Sequence, residues 1–273
     1  MTLDRISHAS GLVAGLTEAT LRAGEIALGF FRPGEKTSAE INHKAGGSPV
    51  TEADYQVDRF LEERLRILLP EAGWLSEETE DSPARLSKNL VLIVDPIDGT
   101  RGFVAGDPAW AISVALIADG RPLVGIVHSP ALDETYIGVR DHGARLNDRQ
   151  IAVSAREVID GSARLAGPKA LVEDLRRAGL QFDLQPKIPS LAVRLVRVAS
   201  GALDAGFASE NAHDWDIAAA DLILQEAGGR LTTLDGSSPI YNRTDTRHGL
   251  LAAGPVQIHA ELIAAAQRAK GLR

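Results

Sequence analysis

A short apolar run in the middle of the chain, residues 90–94, is the clearest structural signal in the sequence. The run reads Leu-Val-Leu-Ile-Val and leads into residues that break regular structure, a pattern typical of a buried strand. Asp95 and Asp98 follow directly, and the next pair, Gly99-Thr100, is suited to opening a helix. Two carboxylates at the end of a buried strand are costly unless a cation compensates them. Mg²⁺ is a suitable cation because it binds oxygen ligands, and the alternative is an Asp-Pro turn with an Asx cap.

Elsewhere the hydrophobic pattern predicts further helices and strands. Apolar residues recur at helical spacing in six stretches, at about residues 5–31, 51–69, 168–178, 191–200, 214–226 and 256–270. Strand-like runs occur at residues 74–76, 110–118, 123–127, 135–139 and 205–208, and Asp119-Gly120 is a hairpin signal between two of them. Since several strands follow one another directly, we expect an antiparallel-rich sheet with helices packed on it, which is an α+β fold.

Two stretches lack a regular pattern. Residues 35–49 predict a mobile loop that carries Lys44 near its tip. The pattern also weakens around residues 154–160, where we place a boundary between lobes. We therefore expect an N-terminal α+β lobe, residues 1–155, that carries most candidate metal ligands. A C-terminal lobe, residues 156–273, joins it in one compact domain.

Composition and charge narrow the function. The chain of 273 residues has 44% hydrophobic and 24% charged residues, as ordinary globular proteins do, and it has no cysteine, which excludes disulfides and thiolate metal sites. A net charge of −8 argues against binding nucleic-acid polymers or anionic membranes. Neither a secretion signal nor an apolar run of the roughly 20 residues that span a bilayer is visible, so we expect a cytoplasmic protein.

Other candidate residues have a structural explanation when each is taken alone. Thr51 and Asp54 have the spacing of a helix capping box, and Asp216 stands at the start of a predicted helix, where carboxylates are favoured. Glu77 lies in an acidic cluster that by itself is typical of a solvated surface. Lys44, taken without its context, is an ordinary exposed lysine.

In combination, these motifs resemble those of one enzyme family along nearly the whole chain. The matching segments are residues 48–54 (Ser-Pro-Val-Thr-Glu-Ala-Asp), 75–78 (Leu-Ser-Glu-Glu), 95–100 (Asp-Pro-Ile-Asp-Gly-Thr) and 215–216 (Trp-Asp). In this order and spacing they are similar to the inositol monophosphatase superfamily, whose members are lithium-sensitive, Mg²⁺-dependent phosphomonoesterases. The resemblance implies the layered α-β-α-β-α sandwich of the inositol monophosphatase and fructose-1,6-bisphosphatase type.

The resemblance also implies a set of metal ligands. One Mg²⁺ would be held by Glu77, Asp95 and the main-chain carbonyl of Ile97. A second would be held by Asp95, Asp98 and Asp216, with Asp95 bridging the two ions. A third, weaker ion would depend on Glu77 and water.

The same resemblance implies which residues act on the phosphate ester. Thr100, with Asp54 behind it, would orient a water that one metal activates, and no protein nucleophile is needed. The main-chain amides of Gly99 and Thr100 would bind phosphate oxygens, and Lys44 matches a lysine near the third ion. The implied catalytic set is Thr100, Asp54, Glu77 and Asp98.

The substrate is predicted from residues around the metal motifs. Ser76 and Arg101 resemble the 3'(2'),5'-bisphosphate nucleotidases, and Arg194 falls where these enzymes have a lysine. An additional cation suits a second phosphate, because arginine offers bidentate contacts. Glu210 takes the place of an acid that grips sugar hydroxyls only if the alignment shifts. The expected substrate-binding residues are Gly99, Thr100, Arg101, Arg194, Glu210 and Asp216.

These residues favour 3'-phosphoadenosine 5'-phosphate, which would be hydrolysed to AMP and phosphate. Inositol 1-phosphate is the first alternative, and histidinol phosphate and fructose 1,6-bisphosphate follow. A member without catalytic activity that serves as a regulatory partner is a further alternative. The expected partner is thus a small phosphorylated metabolite, and a homodimer is common among relatives.

Overall fold

The computed structural model describes residues 9–44 and 46–271, which form seven helices and sixteen strands. The helices are α1 Ala9–Phe30, α2 Glu52–Leu68, α3 Thr100–Ala105, α4 Lys169–Arg177, α5 Leu191–Ala199, α6 Asp214–Glu226 and α7 Val256–Ala269. The strands up to the proposed boundary are β1 Ile41–His43, β2 Pro49–Thr51, β3 Gly73–Ser76, β4 Leu90–Asp98, β5 Ala111–Ala118, β6 Arg121–Ser129, β7 Glu134–Val139, β8 Ala144–Leu146 and β9 Arg149–Gln150. The later strands are β10 Arg164–Ala166, β11 Asp183–Leu184, β12 Ala205–Ala208, β13 Ala212–His213, β14 Gly229–Thr233, β15 Arg247–His248 and β16 Leu251–Pro255.

The larger sheet has seven strands in the order β3-β4-β5-β6-β7-β8-β9. Only β3 and β4 are parallel, so the predicted antiparallel-rich sheet is confirmed. The predicted hairpin turn between β5 and β6 is also confirmed, because Asp119 and Gly120 both have positive φ angles, of 52° and 74°. Strand β4 continues past Val94 to Asp98, and its register against β5 shifts between Asp95 and Asp98. Asp95 and Asp98 themselves pair with Ser113 and Ala111, so the bulge falls on the two residues between them.

The elements stack in five layers. Helices α1 and α2 cover one face of the seven-stranded sheet, and α5 and α6 cover the other. The second sheet, in the order β11-β10-β12-β16-β14, packs against the opposite side of α5 and α6, and α4 and α7 form the last layer. The predicted α-β-α-β-α sandwich is therefore confirmed.

Helix α6 lies at the centre of these layers and carries a candidate metal ligand. Most of its residues are buried, because it is enclosed between two sheets. Gly125 of β6 allows this close packing, since a Cβ atom there would lie 2.4 Å from the carbonyl oxygen of Ala219. The start of α6 is thereby fixed against the strands that carry the other acids.

Some expectations need correction. The predicted loop over residues 35–49 is only partly irregular: residues 35–40 contain no helix or strand, but β1 and β2 then pair as an antiparallel hairpin with Lys44 in its turn. Strands β10, β11, β14 and β16 of the second sheet were not predicted. The first predicted helix is confirmed from Ala9 onward, and residues 5–8 lie outside the described residues. Residues 151–163 contain no helix or strand, and the division into two lobes there stays a prediction.

Within the described ranges, no helix combines the length and the apolar character needed to cross a membrane.

Candidate metal centre

Three carboxylates from separate parts of the chain meet where the larger sheet faces α6. Asp95 and Asp98 come from the bulged end of β4, and Asp216 comes from the first turn of α6. One ligand atom of each lies within 4.8 Å of those of the other two. The sequence predicted this convergence only through the family resemblance, and the fold brings the three together.

Each of these carboxylates is oriented by the protein through one oxygen. Asp98 Oδ2 accepts hydrogen bonds from the Ser190 hydroxyl and, at 2.6 Å, from the main-chain N–H of Ala192 at the start of α5. Asp216 Oδ2 accepts one from the main-chain N–H of His213 at 2.6 Å, and Asp95 Oδ1 accepts one from that of Ile97 at 3.1 Å. No hydrogen bond to another described residue engages the second oxygen of any of the three, so these oxygens are the ones available to a ligand.

The electrostatics of this cluster favour a bound cation. Burial, together with the nearby acids, raises the pKa of Asp95 and of Asp216 well above the usual range of a carboxyl group. Burial also raises the pKa of Asp98 to about 6, although its hydrogen bonds to the start of α5 oppose the shift. Ionised together, the three groups repel one another in a low-dielectric environment. A hard divalent cation removes this repulsion, and the all-oxygen donor set is the one that Mg²⁺ prefers.

Glu77 and Glu78 border the three aspartates and are paired with Lys44. Lys44 Nζ lies 2.7 Å from Glu77 Oε1 and 2.8 Å from Glu78 Oε1. Burial alone would lower the pKa of Lys44, but the two glutamates more than offset this effect and raise it. The charge of Glu77 contributes to the raised pKa of Asp95, so Glu77 lies near the three aspartates, although its carboxylate is not among those within 4.8 Å of one another. The hairpin turn therefore places a positive charge at the edge of the acidic cluster.

Asp58 holds the segment that carries Glu77, and sequence reasoning missed it. Its carboxylate accepts hydrogen bonds from the hydroxyls of Ser76 and Thr79, on either side of the acidic pair. Ser76, which suggested a nucleotidase, thus serves a local structural role. Asp58 lies one helical turn after Asp54 on α2, and that i, i+4 spacing is the signal that could have identified it.

Thr100 and Asp54 form a hydrogen-bonded pair beside the cluster. The Thr100 hydroxyl lies 3.0 Å from the carbonyl oxygen of Ile97 and 3.3 Å from Asp54 Oδ1. The other Asp54 oxygen accepts hydrogen bonds from the main-chain N–H and the hydroxyl of Thr51, as the capping-box spacing predicted. Burial raises the pKa of Asp54 to about 6. This arrangement is suited to accepting a proton near neutral pH.

Gly99 makes the turn between β4 and the helix that Thr100 begins. Its φ angle is 90°, and a Cβ atom there would lie 3.0 Å from the main-chain nitrogen of Ser190. A glycine is therefore required at this position.

Two residues expected at the substrate rim have other partners in the structure. The Arg194 guanidinium donates hydrogen bonds to the main-chain carbonyls of Phe207, at 2.8 Å, and of Ile188, at 3.0 Å. It thus holds the main chain, a structural role that the sequence did not predict, and its role in binding substrate stays a prediction. Glu210 is exposed and lies 3.5 Å from Lys270 Nζ, in a cavity that none of the three aspartates lines. Its carboxylate is turned away from the metal centre.

A buried network links the two parts of the chain that supply the ligands. The Arg85 side chain is only 1% exposed, and both its Nε and an Nη atom contact the Asp81 carboxylate, at 2.7 and 2.8 Å. Its other Nη donates to Asn242 Oδ1 at 2.7 Å, and the main-chain N–H of Asn242 donates to Asp214 Oδ2 at 2.9 Å. Asp214 Oδ1 also pairs with the buried His248, at 2.7 Å. The segment after Glu77 is thereby connected to the start of α6.

Comparison with known proteins places this geometry in context. A family model described as the inositol monophosphatase family matches residues 9–271. The chain is 30% identical over 272 residues to an inositol-1-monophosphatase of Mesorhizobium japonicum, covering 95% of this chain and 97% of the relative. It is also 30% identical over 243 residues to the 3'(2'),5'-bisphosphate nucleotidase CysQ of Aggregatibacter actinomycetemcomitans, covering 86% and 89%. The structure resembles that of the extragenic suppressor protein suhB from Bartonella henselae, with a TM-score of 0.84, 28% identity, and coverage of 94% and 99%.

Proposed function

The chain belongs to the inositol monophosphatase family, and from this premise we propose that it is a Mg²⁺-dependent phosphomonoesterase. The observation that carries the proposal is the convergence of Asp95, Asp98 and Asp216, each with one oxygen fixed and one available. Three acids this close together in a buried place destabilise the fold unless a cation compensates their charge. A catalytic role would explain why the protein contains them.

Asp95, Asp98, Asp216 and Glu77 would hold the ions, with the carbonyl of Ile97 as a further donor. Two ions fit this number of donors, and a third, weaker ion would depend on Glu77. When bound, Mg²⁺ supplies charge stabilisation to the phosphate ester and makes water a nucleophile near neutral pH.

The residues of the chain then have distinct roles. Thr100 is positioned to orient a water through its hydroxyl, and Asp54 accepts the proton that passes through this hydroxyl. The main-chain amides of Gly99 and Thr100 bind phosphate oxygens at the turn after β4. Lys44, held by Glu77 and Glu78, keeps these two acids in place at the edge of the site.

The substrate proposed is a 3'(2'),5'-bisphosphate nucleotide, which gives a nucleoside monophosphate and phosphate. Arg101 supports this choice, since it directly follows Thr100 and is exposed next to the site. The similarity to CysQ supports it as well. Inositol 1-phosphate is the second candidate, because a relative of equal identity bears the name inositol-1-monophosphatase. A regulatory function, rather than an enzymatic one, is the remaining alternative, because the structure also resembles the extragenic suppressor protein suhB.

A phosphate-release assay with Mg²⁺ separates these candidates. The panel contains adenosine 3',5'-bisphosphate, inositol 1-phosphate, histidinol phosphate and fructose 1,6-bisphosphate, each with and without Li⁺. We expect the highest kcat/KM with the adenosine bisphosphate. A preference for the inositol ester would overturn the substrate and leave the chemistry intact. No release from any ester would contradict the phosphatase proposal.

A further inference from the structure

A cavity of about 530 Å³ lies between the β1–β2 hairpin and α3, and it is lined by His43 and Arg101, the chain neighbours of Lys44 and Thr100. Its lining includes three side chains that can carry positive charge, Lys36, His43 and Arg101. Ile41 and Val104 supply apolar walls, and the lining contains no carboxylate. Lys36, His43 and Arg101 are all exposed, so the cavity is open to solvent.

The charges of this cavity are not neutralised by the protein. Within residues 9–44 and 46–271, none of these three side chains forms an ion pair or a side-chain hydrogen bond with another residue. Many other cations of this acidic chain are paired, as Lys44 is with Glu77. Three such side chains that line one cavity without acidic partners among the described residues, in a protein of net charge −8, favour an anionic ligand.

The position of the cavity connects it to the reaction. His43 and Lys44 are consecutive, and they point to different spaces: Lys44 to the acidic pair Glu77 and Glu78, and His43 to the cavity. Arg101 follows Thr100 on the first turn of α3. The hairpin and α3 are therefore walls of both the metal centre and the cavity.

We propose that this cavity is a subsite for a second phosphate group. This assignment rests on the proposed function. The ester phosphate would bind at the metal ions, and Lys36, His43 and Arg101 would bind the other phosphate of the substrate. Arginine and lysine give charge-assisted hydrogen bonds to phosphate, and the arginine fork can make two at once. Arg194, the other arginine expected to bind substrate, uses both of its Nη atoms to donate to main-chain carbonyls.

A matched pair of substrates tests the subsite. Adenosine 3',5'-bisphosphate and adenosine 3'-monophosphate differ only in the second phosphate, so the ratio of their kcat/KM values measures its binding. We expect Lys36→Gln and Arg101→Gln each to lower this ratio about tenfold, as the loss of a charge-assisted contact does. Arg149→Gln, on the exposed strand β9, removes the same charge outside the cavity and should leave the ratio within twofold of wild type.

A free phosphate ion would make the same contacts in the cavity as a phosphate group of the substrate. A second measurement distinguishes these two ligands. Calorimetric titration of the Mg²⁺-loaded protein with inorganic phosphate counts the phosphate ions bound per chain.

The outcomes of the two measurements separate the possibilities. If the ratio of kcat/KM values is unchanged but Lys36→Gln and Arg101→Gln each bind one phosphate ion fewer, the cavity binds free phosphate and only the substrate choice fails. An unchanged ratio with unchanged phosphate binding would overturn the subsite, as would an equal fall in the ratio with Arg149→Gln. Because the titration needs no turnover, it tests the cavity even if the phosphatase proposal fails.

Discussion

At the scale of single residues, the metal centre depends on acids whose two oxygens have different tasks. Asp98 uses one oxygen to accept hydrogen bonds from Ser190 and the start of α5, and this leaves the other for a cation. Asp216 does the same through His213. Such hydrogen bonds fix the orientation of a ligand before the metal arrives, which reduces the reorganisation needed for catalysis.

Replacing Thr100 separates its role from metal binding. Thr100→Val keeps the shape but removes the hydroxyl that lies 3.3 Å from Asp54 Oδ1. We expect kcat to fall roughly 10²- to 10⁴-fold, the usual contribution of a positioned proton acceptor, because water is no longer oriented. Mg²⁺ affinity, measured by calorimetry, should change little. Thr100→Ser is the matched control and should retain most activity, and equal losses in both variants would contradict the role of the hydroxyl.

The raised pKa values predict how pH affects stability without metal. Asp54 and Asp98 have pKa values of about 6 in the folded protein, above the value of about 3.9 that is usual for an aspartate. The folded state therefore binds more protons than the unfolded state between these values, so stability increases as pH falls through about 6 and is lost as pH rises. Thermal unfolding between about pH 8 and pH 5, in chelator, should show a midpoint that rises on acidification.

Two controls isolate the source of this pH effect. Asp98→Asn should flatten the trend because it removes one of the titrating groups. Saturating Mg²⁺ should raise the midpoint most at high pH, where protons do not compete for the carboxylates. A midpoint that falls on acidification equally in wild type and Asp98→Asn would contradict the raised pKa of Asp98.

At the scale of elements, the buried Arg85 joins the segment after β3 to the segment before β15. Arg85→Met leaves Asn242 Oδ1 without its donor and removes the bidentate pair with Asp81. We expect the free energy of unfolding to fall by roughly 2 to 4 kcal/mol, measured by urea denaturation. Mg²⁺ binding should weaken as well, because the segment carrying Glu77 loses its link to α6.

Arg22→Met provides the comparison for Arg85. Arg22 pairs with Glu25 on the exposed face of α1, where water already screens the charges, so its loss should not change the urea midpoint measurably. Equal changes in the urea midpoint for the two substitutions would show that the burial of Arg85 contributes nothing to the free energy of unfolding.

The elements that the sequence predicted are those with strong periodicity. Strands β4 to β7 and the longer helices have enough apolar positions to define a face, and all were predicted. Strands β10, β14 and β16 have at most five residues, and β16 is rich in small residues, so their pairing in the second sheet decides their structure. The β1–β2 hairpin was missed because it follows no alternation and is supported by contacts from α2 and α3.

In the candidate site, too, the predicted positions are those set by the local chain, and the missed ones depend on distant partners. Asp95, Asp98 and Asp216 have short side chains at the ends of elements, so the backbone path nearly determines where they point. Arg194 and Glu210 have long side chains whose direction depends on distant partners, Phe207 and Lys270, and a single sequence does not reveal these. The roles of Asp58 and Arg85 were missed for the same reason.

At the scale of the whole molecule, the layered fold brings acids from distant parts of the chain to one point. The seven-stranded sheet supplies Asp95 and Asp98, and α6, packed between the two sheets, supplies Asp216. A metal bound to both would stabilise the folded state, since the unfolded chain has no such site. The protein is acidic overall, with a net charge of −8, so the proposed phosphorylated substrate would depend on local positive charge, which the proposed metal ions and the cavity residues Lys36 and Arg101 would supply.

The most direct test of this account is calorimetric Mg²⁺ binding, paired with phosphate release, in wild type, Asp98→Asn and Asp216→Asn. Asp148→Asn, at an exposed turn outside the cluster, is the matched control. The account predicts that both cluster variants bind Mg²⁺ at least tenfold more weakly and release phosphate at least about a hundredfold more slowly, while Asp148→Asn resembles wild type. Wild-type Mg²⁺ affinity and turnover in Asp98→Asn and Asp216→Asn would contradict it.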